Sequence, residues 1–221
     1  MNLAIFDLDN TLLNGDSDYN WSLYLIEKGL LDSKTYATKN QQFYTDYQLG
    51  KLDIFEFIEF QFKALKDNPR MLLDDLRKDY VEEIITPMIT QKAFDLVEHH
   101  RVLGDHLLII TATNSYITSP IGLLFGIQDL IGTDPEEDDN GEFTGKATGI
   151  PSFKSGKVKR LEDWLTKQNL SLSDFEKSYF YSDSHNDLPL LEKVSHPVAV
   201  NPDEELSKVA NANNWPTMNL R

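Results

Sequence analysis

Residues 3–6, Leu-Ala-Ile-Phe, form a short apolar run that stops at Asp7, and Asp9 follows before Asn10 and Thr11. A run of this kind bounded by polar residues reads as a buried strand, so its carboxyl end delivers two carboxylates to one place. Buried carboxylates are costly unless a cation or hydrogen-bond donors compensate them. The bland alternative is a polar strand end whose aspartates cap a turn. The chemical reading divides labour between them. Asp7 is an oxygen nucleophile able to attack phosphorus, and Asp9 protonates the departing oxygen and later takes a proton from water.

Three later places carry groups that suit the same chemistry. Thr111 follows an apolar run at 107–110, Lys157 lies near a helix start, and Tyr181-Ser182-Asp183-Ser184-His185-Asn186-Asp187 closes a run at 179–181. Each has a mundane reading alone: a β-branched strand end, a solvent-facing helix lysine, or caps of a short helix. Their order is the stronger signal. Ile5-Phe6-Asp7-Leu8-Asp9-Asn10-Thr11-Leu12-Leu13 resembles the first signature of the haloacid dehalogenase-like phosphatases. Thr111, Lys157 and 181–187 resemble that family's second, third and fourth motifs in sequence. The resemblance runs from Leu3 to about Asn201, and the helical insert after the first motif is similar to the cap of the phosphoserine-phosphatase-like branch, subfamily IB.

The resemblance implies a site. Asp7 and Asp183 would bind Mg²⁺ through their carboxylates and Asp9 through its backbone carbonyl. Thr111, the backbone amide near Ala112 and Lys157 would hold the phosphate. Asn186 and Asp187 would stand just outside, orienting a metal-bound water or Lys157, with Asn186 on the phosphate side. In phosphoserine phosphatases an acidic cap residue near the position of Asp16 contacts the substrate amine. Asp16 is therefore the expected partner of an amine-bearing phosphomonoester such as phosphoserine or histidinol phosphate. No cap arginine matches a substrate carboxylate, which weakens the case for phosphoserine. His185 lies inside the fourth motif and is expected to border the site.

A charge tally is independent of the family. Asp7, Asp9, Asp183 and Asp187 bring four negative charges to one pocket, and a phosphomonoester adds nearly two more. At an effective dielectric near 20, like charges about 4 Å apart repel by roughly 4 kcal/mol per pair. One Mg²⁺, the Lys157 ammonium and a proton on Asp9 would bring the site close to neutral. Hard oxygen ligands favour magnesium over zinc.

The elements needed to position these groups are those of an α/β fold, a doubly wound, mainly parallel, Rossmann-like sheet. Apolar runs at 3–6, 107–110, 179–181 and 197–200, with a weaker one at 130–131, alternate with helical stretches at 91–103, 117–125, 155–167, 188–193 and 203–212. Ligands of such sheets gather at the carboxyl ends of the strands. Residues 16–85 break the rhythm, reading as consecutive helices. Asp53 and Glu56 have capping-box spacing, and the Phe-rich stretch 55–62 reads as the core of a small bundle. The expected division is a core domain of 1–15 and 86–221 with a helical cap of 16–85, hinged near 13–16 and 85–90. Residues 138–141, Asp-Asp-Asn-Gly, read as a hairpin turn between short strands, and the acidic run 136–139 as a solvated turn rather than a calcium loop.

Bulk properties bound the partners. The chain has 221 residues, 40% hydrophobic and 11% aromatic, no cysteine and a net charge of −15. Disulfides and thiolate metal sites are excluded. Broad binding to nucleic acid or an anionic membrane is disfavoured, because it needs clustered Lys and Arg. No membrane span or signal peptide is evident, so a soluble cytoplasmic protein, monomer or homodimer, with a small-molecule substrate is expected. Rival readings are a receiver-like phosphoacceptor, a halide-releasing enzyme, and a catalytically silent phosphate-binding protein. The first would carry its acceptor after a middle strand, and the second needs no acid at Asp9.

Overall fold

A computed structural model describes residues 1–221. Its sheet is built around Leu3–Phe6 (β1), whose four residues are all buried. The other strands are His106–Asn114 (β2), Asp129–Glu137 (β3), Phe143–Thr148 (β4), Ser178–Ser182 (β5), His196–Val200 (β6) and Thr217–Met218 (β7). Their order is β4-β3-β2-β1-β5-β6-β7. All neighbours are parallel except β3 and β4, a hairpin through the turn at 138–141.

Side chains alternate across a strand, and β1 uses both faces. Leu3 and Ile5 pack on one side with Leu161, Leu165, Leu190 and Leu206, which belong to helices Ser155–Lys167 (α7), Leu188–Leu191 (α8) and Glu204–Asn213 (α9) once the preceding six are counted. Ala4 and Phe6 pack on the other with residues of Gln91–Val102 (α5) and Ser115–Leu124 (α6). A strand covered on both faces must be apolar throughout. Each large side chain fully buried in this way stabilises the fold by roughly 1.5–3 kcal/mol.

Between β1 and β2 run Ser17–Glu27 (α1), Ser33–Gln48 (α2), Ile54–Lys66 (α3) and Arg70–Tyr80 (α4). Trp21, Tyr24 and Tyr80 form an aromatic knot, with ring centroids 5.1 Å apart for Trp21–Tyr80 and 5.3 Å for Tyr24–Tyr80. Helices α1, α3 and α4 share one continuous apolar cluster with Phe6, Ile109 and Ile117 on the α5/α6 side of the sheet. The chain enters and leaves the insert at one point, where Leu13 bridges Ile89 and the Asn14 N–H donates to the Met88 carbonyl at 2.9 Å.

Several local expectations need correction. Strand β2 continues through Thr111 to Asn114, because a register shift between Ile110 and Asn114 keeps it beside β3. Strand β7 has two residues, too short to leave a periodic signal. Only half of the expected capping box forms: Asp53 accepts from the Phe55 and Glu56 N–H groups, with no return bond from Glu56. The Phe-rich helix α3 is not simply a bundle core, since Phe55 is 71% exposed and Phe57 faces the cavity described below.

At the opposite end of the sheet, buried His100 joins Asp105 through Nδ1 and the Tyr181 hydroxyl through Nε2, both at 2.7 Å. Replacing His100 by Leu orphans two buried polar groups, so a loss of about 2–4 kcal/mol is expected in urea unfolding. Catalysis per folded molecule should be unchanged. A variant as stable as the parent would count against this accounting.

Candidate active site

The backbone beyond β1 turns sharply. Asp7 and Asp9 are extended and Asn10 is left-handed at φ 57°, a conformation that Asn tolerates better than most residues. The Leu13 N–H reaches back to the Leu8 carbonyl at 2.9 Å. This loop holds Asp7 buried over the strand end, with Thr11 beneath it. The Thr11 hydroxyl donates to Asp7 Oδ2 at 2.9 Å and stands 3.3 Å from Asp183 Oδ1, while its oxygen accepts the Asp183 N–H at 3.1 Å. Asp7 and Asp183, 176 positions apart in sequence, thus converge on one hydroxyl because β1 and β5 are neighbours.

Lys157 enters from the first turn of α7 and is 1% exposed. Its ammonium donates to Asp7 Oδ1 at 2.8 Å and to Asp187 Oδ2 at 2.7 Å. Asp187 is further fixed by the Ser182 hydroxyl at 2.7 Å. The two carboxylates raise the Lys157 pKa although burial works against them. Asp9 points elsewhere: it accepts from the Ser17 N–H at 2.6 Å and the Thr113 hydroxyl at 2.8 Å. Burial, then the charge of Asp16, pushes its pKa up to about 6. That is a serviceable value for a group that gives and takes a proton near neutrality.

Asp7, Asp183 and Asp187 together face one lysine, leaving an excess of two negative charges. Burial pushes Asp7 up to about 7 despite the lowering effect of Lys157, and Asp183 is raised well above its ordinary value, first by burial and then by Asp7 and Asp187. All nearby donors are hard oxygens, and Asn186 Oδ1 is buried with no partner. This donor set fits a hard divalent cation. No three acidic or histidine groups gather closely enough to ligate an ion alone, so the fit is to a cation that keeps several waters.

Raised carboxyl groups hold protons in the folded state that they release on unfolding. Their contribution to stability is therefore fully present below about pH 4 and is lost as pH rises toward 7. In the presence of chelator, the melting temperature should be lower at about pH 7.5 than at about pH 5.5. A divalent cation should raise it more at the higher pH. A flat profile, or equal shifts at both pH values, would contradict this charge balance.

Above the loop lies a cavity of about 600 Å³, including its mouth, with Asp7, Asp9, Thr111 and Ala112 at its floor. Its walls come from α1, α2 and α3 and include Tyr44, Tyr47 and Phe57. Asp16 borders it too, but its carboxylate caps α1 by accepting from the Asp18 and Tyr19 N–H groups at 2.9 and 2.8 Å. Asp18 is the more available acid, buried with a single 3.4 Å contact from Asn114 Nδ2. Asn186 does not reach Lys157: its Nδ2 donates to the Tyr47 carbonyl at 2.9 Å, tying the insert to the 183–187 loop. The turn after α2 presses equally close at Gly50, φ 66°, where a Cβ would lie 2.5 Å from His185 Nε2. His185 itself is anchored to Asp203 at 2.7 Å.

Thr11, Thr113, Ser182 and Tyr47 were not singled out as functional by sequence. Thr11 and Ser182 stand inside quoted motifs, and a hydroxyl beside crowded carboxylates was a usable signal. Nothing in the pattern of α2 distinguishes Tyr47.

A parallel sheet with paired aspartates after its central strand, a lysine between carboxylates and a helical roof defines a phosphoryl-transfer hydrolase. The family model for haloacid dehalogenase-like hydrolases matches residues 4–192. A histidinol-phosphatase of Neisseria meningitidis serogroup C is 47% identical over 220 residues, covering 100% of this chain and 99% of that one. A crystal structure of a protein with unknown function from Bordetella pertussis superposes with a TM-score of 0.94 at 42% identity, covering 100% and 99% of the two chains. Substrate-bound phosphoserine phosphatase shares the fold, with a TM-score of 0.69 at 17% identity over 99% of this chain and 92% of the other. The chain belongs to the haloacid dehalogenase-like hydrolase family, and within it is a phosphatase acting on a small phosphorylated compound.

Proposed function

We propose that the substrate is histidinol phosphate, hydrolysed with Mg²⁺ through an aspartyl-phosphate on Asp7. The observation that carries the substrate choice is the cavity wall. It offers Asp16 and Asp18 near the floor and aromatic rings above, with no Lys, Arg or His among its lining residues. Such a wall suits a phosphate whose remainder is a cation and a flat ring, and it leaves the carboxylate of phosphoserine without a partner. The relative at 47% identity bears the matching name.

Asp7 attacks phosphorus in line, the ester oxygen departs with the Asp9 proton, and Asp9 then takes a proton from the water that cleaves the acyl phosphate. Lys157, Thr111 and the backbone amide of Ala112 are assigned to the phosphate oxygens, and Asp187 holds Lys157 in place. Asp7, Asp183 and the Asp9 carbonyl are the assigned ligands of Mg²⁺, which when bound neutralises charge on the phosphate. Asn186 is assigned to fastening the roof beside the phosphate. We take 1–15 and 86–221 as the catalytic core and 16–85 as its cap, with Asp16 and Asp18 facing the substrate amine.

The test is a comparison of kcat/KM for histidinol phosphate, phosphoserine and a generic aryl phosphate, with Mg²⁺ and with chelator. Histidinol phosphate should lead by at least about 100-fold, the scale of discrimination that buried polar contacts supply, and chelator should stop all three. Phosphoserine in the lead would overturn the substrate assignment. Full turnover in chelator would overturn the metal.

A further inference from the structure

The carboxyl group of Asp9 is held at both ends. Its Oδ1 accepts the Ser17 N–H at 2.6 Å, and its Oδ2 accepts the Thr113 hydroxyl at 2.8 Å. The last torsion of an aspartate side chain is broad and roughly two-fold, so a single bond to one oxygen would leave the carboxyl plane free to swing. Bonds on opposite oxygens fix that plane.

Thr113 is itself held firmly. It stands on β2 where the register against β3 shifts between Ile110 and Asn114. Across that irregularity the Thr133 hydroxyl donates to the Ala112 carbonyl at 2.9 Å. Gly132 on β3 admits the Thr113 carbonyl, since a Cβ there would lie 2.8 Å from it. The side chain is β-branched, hence stiff at its first torsion, and only 6% exposed. Its own N–H donates to Thr111 Oγ1 at 3.2 Å. One residue thus touches both the hydroxyl assigned to the phosphate and the carboxyl assigned to the leaving oxygen, and all three border the cavity.

We infer that Thr113 is a positioning residue that aims the Asp9 carboxyl at the ester oxygen. This deepens the proposed function and rests on the acid and base role given there to Asp9. In the first half of the reaction the bond from Asp7 to phosphorus forms, the bond from phosphorus to the ester oxygen breaks, and that oxygen receives the Asp9 proton. In the second half water attacks phosphorus and loses a proton to Asp9 as the bond to Asp7 breaks. Both transfers use the same carboxyl plane. A hydrogen bond that served only the fold would, once lost, weaken turnover of every substrate alike.

The experiment uses the full chain with Mg²⁺ and two substrates: histidinol phosphate, whose alkoxide needs a proton to leave, and p-nitrophenyl phosphate, whose phenolate does not. Release of the leaving group commits the substrate, so kcat/KM covers the first half alone and kcat covers both. Thr113→Val keeps the branched shape and removes the donor. It is expected to lower the ratio of kcat/KM between the alkyl and the aryl substrate by roughly 10–100-fold, part of the full effect of a general acid. With the aryl phosphate kcat should fall too, preceded by a burst of nitrophenolate, because phosphoenzyme accumulates when water activation lags. Thr113→Ser keeps the hydroxyl and should restore most of the ratio and remove the burst. Thr113→Ala carries the test if Thr113→Val fails to melt cooperatively. A folded variant with an unchanged ratio, equal losses on both substrates, or no recovery in Thr113→Ser overturns the inference alone. Asp9→Asn should move the same ratio further, and equal losses there would overturn the acid role of Asp9 and the aiming with it. Any alkyl phosphate that the parent hydrolyses can replace histidinol phosphate, so failure of the substrate assignment is read separately.

Discussion

Asp7→Asn is expected to leave less than about 10⁻⁴ of the parent kcat, the scale of loss when a covalent nucleophile is removed. The fold should survive. Asn matches Asp in shape and can still accept from the Thr11 hydroxyl, and the substitution removes one of the negative charges crowded around Lys157. In chelator at neutral pH the variant should therefore melt at or above the parent temperature, which separates loss of chemistry from loss of structure. Steady-state phosphate release and acid-quench trapping of phosphoenzyme are the measurements. A variant that still turns over at a tenth of the parent rate would remove Asp7 as the nucleophile, whatever the metal does.

Lys157→Met should damage both activity and stability. The ammonium is the only protein cation in contact with Asp7 and Asp187, and all three groups are buried. Removing one member of such a network leaves uncompensated charge, a loss of about 3–5 kcal/mol. Loss of the proposed contact to phosphate adds a fall of about 10²–10³ in kcat. Adding Asp187→Asn should recover part of the stability, because the two side chains share one interaction and their effects cannot be additive. Denaturant midpoints of the single and double variants measure this. If the two losses simply summed, the Lys157–Asp187 bond would contribute little.

The core of this arrangement was readable from sequence because its signals are local. The run 3–6 has strand length and an abrupt polar end, and the strands at 178–182 and 196–200 lie within two residues of their expected bounds. Their alternation with helices is enough to imply a covered parallel sheet, and the resemblance of four ordered motifs to those of a known family implies convergence. The cap was readable only as helical. Which face of α3 meets solvent depends on how α1, α2 and β4 pack against it, and so Phe55 and Phe57, both expected in the core, lie at the surface and at the cavity. Asp16 shows the same limit, since an aspartate before a helix can be a cap or a ligand, and here it is a cap that also borders the cavity.

The central place of β1 bears on how the molecule is made. Its partners are β2 and β5, which start more than 100 and more than 170 residues later. At about 5–20 residues per second, a ribosome needs roughly ten to thirty-five seconds to travel from β1 to β5. Throughout that interval an apolar edge waits unpaired in the nascent chain, the kind of segment that chaperones bind. Convergence of Asp7 with Lys157 and Asp183 is thus a late event of biosynthesis, although Asp7 directly follows the first strand.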